Sequence, residues 1–158
     1  MFCYLCTVKQ KIKMVQTHII PEFGVINAIG AIVIAFIYIS LFSLVKEPHR
    51  QKINAIIIAG AGSVYWAGGL GIYEYLFSTL MLWLAYKSLS KYYFIGIGWL
   101  LHTCWDILHH LYGDPIVPFS PSSSAGCAVC DTILAIWFFY NAPTIFDFFK
   151  KNKIRAAI

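Results

Sequence analysis

The chain has 158 residues, of which 59% are hydrophobic, 17% aromatic and only 12% charged. An average soluble domain carries about 25% charged residues, so this chain has too few charges to cover a surface in water. The composition excludes most soluble enzymes and disordered proteins and favours an integral membrane protein with a handful of spans. The net charge of +5 does not predict nucleic-acid binding, because the Lys and Arg residues fall in short groups between apolar segments.

The first half of the chain contains two long apolar segments. Residues 24–45 form 22 consecutive uncharged positions, enough to cross about 30 Å of hydrocarbon as a helix. Residues 53–86 are a 34-residue stretch of low charge, and as one helix they would measure about 51 Å. The sequence Gly68-Gly69-Leu70-Gly71 predicts a turn, which divides this stretch into spans at about 53–69 and 71–88. One broken helix, giving four spans in total, is the alternative.

The second half predicts two further spans joined by a non-helical loop. A fourth span is expected at 92–112 and a fifth at 127–146. Between them, residues 114–126 contain three prolines and four serines, a composition that cannot continue a helix. We call this segment the proline loop. The expected fold is an all-α polytopic transmembrane bundle that forms one membrane domain of about five spans.

The Lys and Arg residues predict the orientation of this bundle. With five spans, nine of the twelve lie on one side, in 46–52, 87–91 and the C-terminal tail, and three lie before the first span. The positive-inside rule then places the C-terminus in the cytoplasm and the proline loop outside. The three dissenting lysines precede Met14, which leads to the hypothesis that translation begins there and that residues 1–13 are not translated.

Small residues recur at every fourth position of the second predicted span. Such a ridge lets a neighbouring helix backbone approach closely, either within the bundle or across a homo-oligomer interface. The ridge consists of Ala55, Ala59, Ser63, Ala67 and Gly71.

The fourth predicted span carries a polar motif of the form HxxxDxxHH. At 100° per residue, its four polar side chains, His102, Asp106, His109 and His110, occupy one stripe of the helix. An Asp beside a His can fix the imidazole tautomer for proton transfer or for metal binding. A buried charge is costly in a membrane, so this stripe must face the protein interior, a cavity or an interface.

Further candidate residues are expected at the outer ends of the other spans, under the proline loop. Glu74 lies near the outer end of its span, and Asp131 begins the last span together with a CxxC pair, Cys127 and Cys130. The predicted metal ligands, for a divalent transition metal, are Asp106, His109, His110, Glu74 and Asp131. The predicted acid or base groups are Asp106, His110 and Glu74. Two alternatives stay open: these polar residues could instead hold the helices together, and the cysteines could be packing residues rather than reactive thiols.

Residues 96–131 and the sequence AGGLGIYEYLF at 67–77 resemble an uncharacterised bacterial integral-membrane family catalogued only as a domain of unknown function. The likeness extends over residues 24–146. It implies a multi-pass protein of the bacterial inner membrane, with the lipid bilayer as its partner, and it implies no activity for any residue.

Three functions are compatible with these features. The first is a small membrane-embedded enzyme, metal-dependent or acid/base, acting on an apolar or lipid substrate near the outer leaflet. The second is a transporter or channel subunit that uses the intramembrane Asp, His and Glu residues as a proton or cation relay. The third is a structural membrane partner. Convergence of the polar residues around one point would favour the first, and a continuous path would favour the second.

Overall fold

The computed structural model describes residues 20–66 and 68–146, and these residues form five α-helices and no β-strand. The predicted all-α fold class is therefore confirmed for this part of the chain. The hypothesis about Met14 concerns residues outside it. The helices are α1 Val25–Ser43, α2 His49–Ala61, α3 Ile72–Ser88, α4 Tyr92–Tyr112 and α5 Ser123–Phe139.

The chain reverses direction between α2 and α3. Gly69 and Gly71 have φ angles of +95° and +64°, in the left-handed region where glycine is strongly preferred. The reversal packs the end of α2 against the start of α3, where Trp66 Nε1 donates a hydrogen bond of 2.6 Å to Ser78 Oγ. The alternative of one helix through residues 53–86 is therefore wrong.

Helix α2 begins and ends earlier than the predicted span 53–69. It starts at His49, directly after Pro48. Proline is tolerated at a helix start, because the N–H group that it lacks would have no partner within the helix there. It ends at Ala61, before Gly62, and the ten residues 62–71 form the connection to α3.

Helix α5 is displaced toward the N-terminus relative to the predicted span 127–146. It begins at Ser123, so the last four residues of the proline loop are helical. The Ser123 hydroxyl accepts a hydrogen bond of 3.0 Å from the Val117 N–H, which ties the proline loop to the helix start. The helix ends at Phe139 because Asn141 and Ala142, which precede Pro143, have positive φ angles.

Helix α4 lies at the centre of the bundle. It packs most extensively on α5 and also contacts α2 and α3, whereas α1 packs on α5. The fully buried apolar side chains come from every helix: Ala35, Ile58, Met81, Ile95 and Phe138. This arrangement encloses the polar stripe of α4 on three sides.

The outside of the bundle is apolar. On α1, Val25, Ile26 and Leu41 are 75%, 85% and 59% exposed. Among the described helices, α1 is the one whose length and composition would allow it to cross a membrane, and α5 is apolar but has only 17 residues.

The two ends of the bundle differ in charge. At one end, which we call the basic end, α1, α3 and α5 finish and α2 and α4 begin. All described Lys and Arg residues lie there: Lys46, Arg50, Lys52, Lys87 and Lys91. The opposite end, which we call the loop end, contains the 62–71 connection and most of the proline loop. Asp114 N donates to Gly68 O at 2.7 Å and joins these two segments.

The predicted small-residue ridge faces α3 in part. Ala55 is buried, and together with Ala59 it lines a groove between α2 and α3. Ala67 lies outside the described residues. A homo-oligomer interface along this ridge stays a prediction.

Gly62 lies in close contact with α3, and replacing it should lower the stability of the protein. A Cβ at Gly62 would lie 2.5 Å from Met81 Cβ and 3.4 Å from Ser78 Cα. We expect Gly62→Ala to lower the free energy of unfolding by about 1–3 kcal/mol through overpacking. Thermal unfolding of the detergent-solubilised protein measures this loss. Gly60→Ala is the matched control, because no atom lies within 4 Å of its added Cβ. An equal loss in both variants would contradict the close packing.

Candidate functional site

The polar stripe of α4 faces the interior of the bundle, as expected. His102, Asp106 and His109 are 3%, 0% and 1% exposed, whereas His110, at the edge of the stripe, is half-buried. A buried charge without a partner is strongly unfavourable, so the groups around this stripe determine its protonation and its chemistry.

Three side chains of the interior form a compact cluster. His102 Nδ1 lies 2.8 Å from Asp131 Oδ2 and 3.3 Å from Asp106 Oδ2. His102 and Asp106 are one turn apart on α4, and Asp131 comes from α5, the helix that packs most extensively on α4. One ligand atom from each of the three lies within 4.8 Å of the other two. We call these residues the His102–Asp106–Asp131 cluster.

Backbone and tyrosine groups fix the orientation of the cluster. His102 Nε2 lies 3.0 Å from the carbonyl oxygen of Ala61, and because a carbonyl only accepts, Nε2 must carry a proton. The Tyr65 hydroxyl donates a hydrogen bond of 2.7 Å to Asp106 Oδ1. Asp106 Oδ2, in contrast, is buried and makes no hydrogen bond with the described residues.

The hydrogen bonds determine where one shared proton of the cluster lies. One proton must lie between His102 Nδ1 and Asp131 Oδ2, because these atoms are 2.8 Å apart. With Asp106 ionised, two carboxyl groups and one imidazole with Nε2–H carry a net charge of −1, whether nitrogen or oxygen holds this proton. No described Lys or Arg compensates it, because all five lie at the basic end. The cluster is therefore one positive charge short of neutrality.

The structure places the other predicted ligands outside this cluster. The Glu74 carboxylate is buried and accepts a hydrogen bond of 2.8 Å from Leu70 N, at the start of α3. The His109 ring stacks on Tyr65 with a centroid separation of 3.7 Å. His110 is half-buried, and its Nδ1 makes no hydrogen bond with the described residues. Of the five predicted metal ligands, the structure thus brings Asp106 and Asp131 together, and it adds His102.

The two cysteines of the CxxC pair lie beside the cluster. Cys127 and Cys130 are half-buried free thiols on α5, and Cys130 directly precedes Asp131. Cys127 is four residues before Asp131 and therefore on the same helix face. Reactivity of these thiols stays a prediction.

The cluster offers the donor atoms of a metal site. One imidazole nitrogen and two carboxylate oxygens suit zinc, manganese or iron, and three protein ligands leave coordination positions open, as in catalytic sites. A metal-binding His commonly donates its second N–H to a backbone carbonyl, as His102 does to Ala61.

Two contributors to this site were not expected from the sequence. The Ala61 carbonyl lies at the end of α2, and Tyr65 lies in the connection after it. No periodic pattern marks which groups of this segment point inward. Their contact with α4 depends on how α2 packs across it. The sequence therefore contains no signal for either of them.

Comparisons with known proteins identify the family without indicating an activity. No curated protein and no solved structure matches the chain significantly. One family model covers residues 26–144, which include all five helices except the first residue of α1. The chain therefore belongs to DUF6010, a family of unknown function.

Proposed function

We propose that this protein is a multi-pass protein of the bacterial inner membrane whose His102–Asp106–Asp131 cluster binds a divalent transition metal. In this proposal the protein is a small membrane-embedded enzyme that uses the bound metal to act on an apolar or lipid substrate near the outer leaflet. The observation that carries the proposal is the convergence of two carboxylates and one imidazole in a buried cluster that lacks one positive charge.

The distribution of polarity supports the membrane part of the proposal. Large apolar side chains such as Ile26 and Phe36 are exposed, whereas Glu74, Asp106 and Asp131 are buried. Soluble monomers rarely expose a continuous apolar surface larger than a few hundred Å². In lipid, exposed apolar side chains do not carry the free-energy cost that they have in water, and ionisable groups must face the protein interior.

The location of the cations supports the orientation. All five described Lys and Arg residues lie at the basic end. The positive-inside rule assigns this end to the cytoplasm, and the loop end then faces the outside.

Charge balance supports a divalent cation. Without metal, the cluster keeps one shared proton and a net charge of −1, buried in a medium of low dielectric constant. A divalent ion that displaces this proton leaves one neutral imidazole and two carboxylates, for a net charge of zero. The Asp106 Oδ2 atom, which makes no hydrogen bond with the described residues, gains a partner at the same time.

The residues around the cluster have separate roles in this proposal. A metal held there supplies Lewis-acid chemistry and activation of water. Ala61 holds the His102 ring through Nε2, and Tyr65 holds the Asp106 carboxylate through Oδ1. The remaining oxygen of Asp106 faces His102 Nδ1, in position to bind the metal.

Elemental analysis of the purified protein tests the proposal. We expect about one zinc, manganese or iron ion per wild-type chain. His102→Ala and Asp131→Asn should lose most of this metal, because each removes one of three ligands. His110→Ala, a change of the same residue type on the same helix but outside the cluster, should retain it.

Two results would count against a metal centre. One is a wild-type protein that contains no transition metal even after growth with added metal salts. The other is an equal loss of metal in His102→Ala and His110→Ala, because only His102 belongs to the cluster.

A further inference from the structure

A second feature lies next to the cluster, at the loop end of the bundle. The 62–71 connection and the proline loop line an open cavity of about 450 Å³. Its walls are mostly apolar and come from Val64, Pro115, Ile116 and Pro118. A cavity of this volume and lining is typical of a site for a small organic ligand.

The cavity has a direct connection to the cluster. Tyr65 lines it, and the hydroxyl of the same side chain donates to Asp106 Oδ1 at 2.7 Å. A ligand in the cavity therefore contacts the ring of the residue that orients Asp106. One face of the Tyr65 ring is covered, because His109 stacks on it.

The charge of the loop end selects the kind of ligand. Asp114 lines the cavity and is exposed, and Glu22 lies at the same end of the bundle. No Lys or Arg among the described residues lies at this end. Among the described residues, an anionic headgroup would therefore find no Lys or Arg partner at this end, whereas a cationic group can pair with the Asp114 carboxylate.

We propose that this cavity binds an organic amine, with its ammonium group on Asp114 and its apolar body against Val64, Pro115, Ile116 and Pro118. We also infer that this amine is the substrate, because Tyr65 connects the cavity to the cluster. This second step rests on the proposed function of the cluster. Binding of the amine itself does not require the metal.

Titration calorimetry with three compounds of the same shape tests the proposal. The compounds are 1-adamantanamine, 1-adamantanol and adamantane-1-carboxylate, and the wild-type protein is held in phosphatidylcholine nanodiscs, with empty nanodiscs as the blank. We expect the amine to bind at least about tenfold more tightly than the alcohol. The carboxylate should bind most weakly, because Asp114 repels it.

Three variants locate the binding. Asp114→Asn should remove the preference for the amine over the alcohol, and Glu22→Gln, a matched change at an exposed carboxylate of the same end, should preserve it. Ile116→Trp should weaken the amine and the alcohol alike by filling the cavity. Equal affinity of the wild type for the amine and the alcohol, or a preference for the amine that persists in Asp114→Asn, would overturn the proposal.

Metal analysis of the same samples separates this proposal from the previous one. A wild-type protein that contains metal but shows no amine preference contradicts only the amine site. A protein that prefers the amine but contains no metal contradicts only the metal centre. Asp114→Asn should retain its metal, since Asp114 lies outside the cluster.

Discussion

Replacing His102 with alanine should lower the free energy of unfolding of the metal-free protein by about 3–5 kcal/mol. The imidazole lies between Asp106 and Asp131, at 3.3 Å and 2.8 Å, and all three residues are at most 5% exposed. Without it, two buried carboxylates face each other, and no described Lys or Arg lies near enough to compensate them. Removing one partner of a buried ion pair lowers stability by more than the pair itself contributes, because the remaining charge stays buried without a partner.

A second substitution should reverse part of this loss. Asp131→Asn in the His102→Ala background removes one carboxylate and provides an amide that can donate to Asp106. The double variant should therefore be more stable than His102→Ala alone, although two native side chains are missing. Thermal unfolding in detergent, after treatment with a chelator, measures all three proteins.

His110→Ala is the control for this series. His110 lies on the same helix but outside the cluster, and it is half-buried. Its replacement should cost less than about 1 kcal/mol. If His102→Ala and His110→Ala lose similar stability, or if Asp131→Asn lowers stability further in the His102→Ala background, the charge balance described above is incorrect.

The sequence predicted which residues of α4 belong to the buried polar site better than it predicted which residues they contact. Helical periodicity placed His102, Asp106 and His109 on one stripe of α4, and all three are buried. Periodicity along one helix does not indicate how a second helix is positioned against it. The partner that α5 supplies to the stripe therefore depended on the predicted start of α5.

An error of one helical turn at the start of α5 changed the predicted partner. Asp131 is the fifth residue of the predicted span 127–146, but it is the ninth residue of the observed helix, which begins at Ser123. Four residues correspond to about 6 Å along a helix axis. Asp131 consequently lies farther from the loop end, where it meets His102 instead of His109 and His110, which are nearer that end of α4.

Glu74 shows a second limit of sequence patterns. An acid in an apolar segment predicts a functional residue or a structural partner, and composition cannot distinguish the two. In the structure Glu74 belongs to the first turn of α3 and accepts the Leu70 N–H. This local contact follows from the turn between α2 and α3, whose positive φ angles at Gly69 and Gly71 set the direction of the chain.

An arginine on the outer surface of α1 should have an effect that depends on depth in the membrane. Ile34 is 60% exposed and is the tenth of the 19 residues of α1, whereas Val25 is 75% exposed and is the first. We expect Ile34→Arg to cost about 2.5–3.5 kcal/mol for membrane insertion. Val25→Arg should cost much less, because the long side chain at a helix end reaches the interface.

Both variants are measured in the full chain, as the fraction that resists extraction from membranes at alkaline pH and as the unfolding temperature in detergent. On a surface that faces water, exposed substitutions usually change stability by no more than about 0.5 kcal/mol, whatever their position along the helix. Equal behaviour of Ile34→Arg and Val25→Arg would therefore contradict a transmembrane α1. A selective defect in Ile34→Arg would support it, since only a hydrocarbon layer distinguishes two exposed apolar positions by their distance from its centre.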